Sequence, residues 1–170
     1  MIPVNSAIKE QAWLLIDNSQ YEDEDEDEDD VAEIRKVKFR FRPTGLTKVD
    51  PATIDLQEQI TSVIISDNLW LLRMDLVVLS KEPIEDSPAS AFHKHLLIKD
   101  NEGFTFKAIY DFWLCRASTS VFATQNGLAN FYGTQLFNPK IKYKASILFE
   151  LPDEIENLCF ASAHGEIREA

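Results

Sequence analysis

Residues Lys140 to Pro152 read KIKYKASILFELP, and this stretch decides the fold class. Ile141, Tyr143, Ala145, Ile147, Phe149 and Leu151 fall on every second position, with Lys140, Lys142, Lys144 and Ser146 among the residues between them. Side chains alternate between the two faces of a strand, so a two-residue period predicts a β-strand with one apolar face on a core. Pro152 has no N–H to give to a ladder and predicts where that strand stops.

The same period recurs upstream. Val37, Phe39 and Phe41 interleave with Lys36, Lys38, Arg40 and Arg42, which predicts a half-buried strand with a basic outer face. In Leu69 to Leu79 (LWLLRMDLVVL), Leu72, Met74, Leu76 and Val78 share one face while Arg73 and Asp75 take the other. The near-continuous apolarity of that stretch predicts a central strand. Phe92 to Ile98, the turn residues Asp100-Asn101-Glu102-Gly103 and Phe104 to Tyr110 together read as a β-hairpin with a glycine-bearing loop. Further strands are expected at Ala12 to Asp17, Ile60 to Ser66, Asp111 to Arg116 and Leu158 to Ala163. About eight short strands and no convincing amphipathic helix predict an all-β antiparallel sandwich. At 170 residues the chain is expected to form a single domain.

Two segments break the alternation. One is the acidic run Glu22, Asp23, Glu24, Asp25, Glu26, Asp27, Glu28, Asp29 and Asp30, read as a solvated loop because adjacent carboxylates repel one another. The net charge is −12, yet without these nine residues 20 acids face 17 bases, a net charge of −3. The body of the chain is therefore nearly neutral, and no basic nucleic-acid footprint is expected from it. The other segment, Ser118 to Asn138, carries an Asn126-Gly127 turn signal and irregularly spaced apolar residues. Long irregular loops are uncommon without a role, which makes it a candidate contact surface through Asn126, Asn130, Phe131 and Tyr132.

No stretch is long and apolar enough for a membrane span, and MIPVNSAIKEQAWLLIDN lacks a basic region followed by an unbroken apolar one. This predicts a cytoplasmic location. Cys115 and Cys159 stand outside any CxxC spacing, so reduced thiols are the default and a disulfide between sheets the alternative.

The C-terminal half resembles a known family. Leu71 to Leu79, the hairpin Leu97 to Phe106, the strand Pro139 to Pro152 and the short Leu158 to Ala161 follow one another as in immunoglobulin-like domains of unknown function from bacterial lipoproteins and secreted proteins. That family includes the mycobacterial immunoprotective antigen. The resemblance covers about half the chain through folding motifs, and it implies an immunoglobulin-like sandwich with no catalytic residues. The sequence departs from the pattern where a glycine usually follows the late proline and Lys140 stands instead, and where Ser80-Lys81 replaces the usual asparagine. Signal sequence and lipobox are missing, so an extracellular location does not carry over.

For chemistry the chain offers little. GxSxG, P-loop, GxGxxG and HExxH motifs are absent, so an enzyme is not expected and no cofactor is implied. Trp13, Trp70 and Trp113 lie in apolar runs and read as core. His93 and His95 sit two apart, so on a strand both rings would share a face within reach of one metal ion; solvent-facing histidines beside a hairpin are the plainer reading. The leading expectation is a non-enzymatic module working by protein–protein contact, its acidic run drawing a basic partner or folding against its own basic strand. The alternative is a small-ligand or metal-binding domain using His93 and His95.

Overall fold

The computed structural model describes residues 1–17, 38–50, 66–84, 95–109, 136–163 and 166–170. Two antiparallel sheets face each other across a common core, an all-β sandwich. Among the described residues the strands are β1 (Ile2–Pro3), β2 (Leu14–Asp17), β3 (Lys38–Lys48), β4 (Leu69–Val78), β5 (Leu96–Lys99), β6 (Thr105–Lys107), β7 (Lys142–Glu150), β8 (Cys159–Ser162) and β9 (Ile167–Glu169), and α1 (Val4–Glu10) is a short helix. The larger sheet has the order β7-β4-β3-β2-β9 and the smaller β1-β8-β5-β6.

β7 ends just ahead of Pro152 and turns Ala145, Ile147 and Phe149 inward, as its alternation requires. Ile141, one residue before the strand begins, is instead 50% exposed. β4 is hydrogen-bonded on both sides, to β3 and β7, and all its residues except Arg73 are buried. Its side chains are buried on both faces of the sheet, which is why it carries so few polar residues.

β3 contains a proline, Pro43, within its length. The register slips between Pro43, opposite Met74, and Gly45, opposite Arg73, leaving Thr44 as an extra residue. A one-residue bulge inverts the parity of everything that follows. Phe39 and Phe41 point inward at odd positions before it, and Leu46 packs against the core at an even position after it. The bulge keeps both halves of the strand facing the same core.

The smaller sheet supplies Leu96, Ile98 and Phe160 to that core. Phe41 meets Phe160 edge-on across the gap, ring centroids 5.7 Å apart. The hairpin β5–β6 has the expected register, Ile98 opposite Phe106. Its turn is held by Asp100, whose Oδ1 accepts from the backbone N–H groups of Glu102 (3.0 Å) and Phe104 (2.9 Å), and Gly103 takes the left-handed φ of 93° the turn needs. Beyond β6, Ala108 bridges to Phe149, so edges of the two sheets meet there.

Two elements depart from the expectation. Val4–Glu10 is helical, with Val4 and Ala7 buried, and carries the chain from β1 in one sheet to β2 in the other. It closes at Gln11 in the left-handed conformation. Seven residues give too few repeats for a helical period to show. β9 adds to the edge beside β2 with only three residues, Ile167 opposite Ile16. No helix among the described residues is long and apolar enough to cross a membrane. Of the strands expected at 60–66 and 111–116, every residue but Ser66, which is in no strand, lies outside the described residues.

Candidate interaction surface

The outer face of the larger sheet follows from the register. Residues directly opposite each other in an antiparallel pair lie on the same face. Since Leu14, Ile16, Phe39, Phe41, Met74, Leu76, Val78 and Ala145 point into the core, their neighbours point out. One outward row therefore runs Arg168, Leu15, Arg40, Val77, Lys142 across five strands. The next runs Arg42, Asp75, Lys144, and Asp17 stands opposite Lys38 on the other side of the first row. Six cations, Lys38, Arg40, Arg42, Lys142, Lys144 and Arg168, thus share these rows with two acids, Asp17 and Asp75. The chain is acidic as a whole; the charged side chains of this face are mostly basic, and they surround Leu15 and Val77, which are buried.

Two of the cations are tightly placed. The guanidinium carbons of Arg40 and Arg42 lie 4.8 and 5.0 Å from the centroid of the Trp13 ring. Cations are attracted to the negative face of an indole, and planar guanidinium groups suit that contact better than lysine does. Trp13 was expected in the core. It precedes Leu14, which points inward, so alternation sends it to the outer face, where it is half-buried. Trp70 does lie in the core as expected, and Trp113 is outside the described residues.

The two arginines differ in what else they meet. Arg42 donates from Nε (3.1 Å) and Nη2 to Oδ2 of Asp75, a buried carboxylate. Arg40 has no ion pair among the described residues, and its Nε makes no hydrogen bond. Lys38 pairs with Asp17 at 3.2 Å. Lys142, Lys144 and Arg168 are exposed. The charge of Arg42 is thus neutralised by Asp75, whereas Arg40 presents its charge on a fixed aromatic platform.

The candidates taken from single residues fare differently. His95 is completely buried rather than solvent-facing, and its carbonyl accepts from the backbone N–H of Ala163 at 3.0 Å. It is also helical, β5 beginning only at Leu96. No group of three His, Cys, Asp or Glu side chains suited to a metal occurs among the described residues. His93, the acidic run 22–30, and Asn126, Asn130, Phe131 and Tyr132 lie outside the described residues, as does Cys115. Cys159 is a half-buried free thiol on β8.

No protein-family model matches the chain, and no curated protein does. Among solved structures, the 1.5 Å crystal structure of MPT63, a secreted protein from Mycobacterium tuberculosis, is similar with a TM-score of 0.43 and 7% sequence identity, over 79% of this chain and 84% of that one. The fold assignment rests on the two sheets themselves. The cytoplasmic location expected from the first residues does not agree with this comparison, in which the matched structure belongs to a secreted protein.

Proposed function

We propose that this chain is a non-enzymatic interaction module, an immunoglobulin-like β-sandwich that works by protein–protein contact through the basic outer face of its larger sheet. The observation that carries the reading is the pair of rows Arg168-Leu15-Arg40-Val77-Lys142 and Arg42-Asp75-Lys144, anchored on Trp13. A surface of ordered arginines around an indole has its side-chain entropy already reduced, which lowers the cost of binding. Arginine and tryptophan are also the residues that most often dominate contact energies.

Strand addition at a sheet edge fits less well. β1 is two residues long and contains Pro3, β6 and β9 have three residues each, and β7 is joined to Ala108 at Phe149. Short and blocked edges are what proteins use to discourage pairing. The acidic run Glu22–Asp30 acts in this reading as a second determinant, setting partner choice by charge.

The test is site-specific photo-crosslinking in the native host. A photoreactive residue at Lys142, on the face, is expected to give a discrete crosslinked protein product. The same residue at Glu154, remote from the face, is expected to give none. Equal product patterns from the two positions, or none from either, would remove the reading.

A further inference from the structure

We draw no further inference here: the strongest candidate, the half-buried Cys159 thiol opposite Lys99 on the outer face of the smaller sheet, is a lone cysteine, and nothing among the described residues beside it points to a ligand.

Discussion

Lys140 has a φ of 64°, a left-handed backbone in which an L side chain crowds the following carbonyl. Its N–H is nevertheless bound to the carbonyl of Val78 at 2.9 Å, so the turn into β7 is fixed and the residue cannot relax. Leaving a non-glycine residue there costs about 1–2 kcal/mol. Replacing Lys140 with Gly removes that cost and returns about 0.4–1 kcal/mol to the unfolded chain as backbone freedom. The net expectation for Lys140→Gly is a gain of about 0.5–1 kcal/mol. For a chain of this size that raises the melting temperature by about 1–4 °C. Urea unfolding followed by tryptophan fluorescence measures it as a shift in midpoint at constant slope. Lys140→Ala separates backbone from side chain, because it deletes the exposed ammonium and keeps the Cβ; it is expected to leave the midpoint unchanged. The mirror experiment is Gly103→Ala, where φ is 93° and nothing lies within 4 Å of an added Cβ, so any loss there is conformational. Equal midpoints for the Gly and Ala variants at position 140 would refute the argument.

Two further outcomes concern charge. Arg42→Ala strands the buried Asp75 carboxylate, while Asp75→Ala leaves a guanidinium that is about a quarter exposed and can reach water; the arginine variant is expected to cost about 2–3 kcal/mol and the aspartate variant about 1 kcal/mol, compared by urea midpoint. Deleting Glu22–Asp30 is expected to change the melting temperature by less than about 2 °C at physiological salt, because adjacent carboxylates repel one another and disfavour compaction; a larger fall in differential scanning calorimetry would show that the run contributes to the folded core.

What the sequence determined by itself is the part of the fold that depends on local periodicity. A two-residue repeat fixes which side chains share a face whatever the strand's neighbours are, so the inward sets Phe39-Phe41, Leu72-Met74-Leu76-Val78 and Ala145-Ile147-Phe149 were legible one strand at a time. The apolar excess of β4 even indicated its place at the centre. Periodicity failed where an element was too short to repeat, as in α1 and β9, and where backbone conformation changed within a motif, as at His95, which is helical one residue before β5. Lys38, Arg40 and Arg42 announced a basic stripe on one strand. Only the pairing of β3 with β4 and β2, and of those with β7 and β9, widened it into a face by bringing Lys142, Lys144 and Arg168 alongside from up to about 130 residues away in the chain. Trp13 shows the same division. Its apolar surroundings suggested a core residue, and its parity with Leu14 placed it outside. The stacking of both arginines on its ring was set by strand register, a property of which strands are neighbours and not of any one segment.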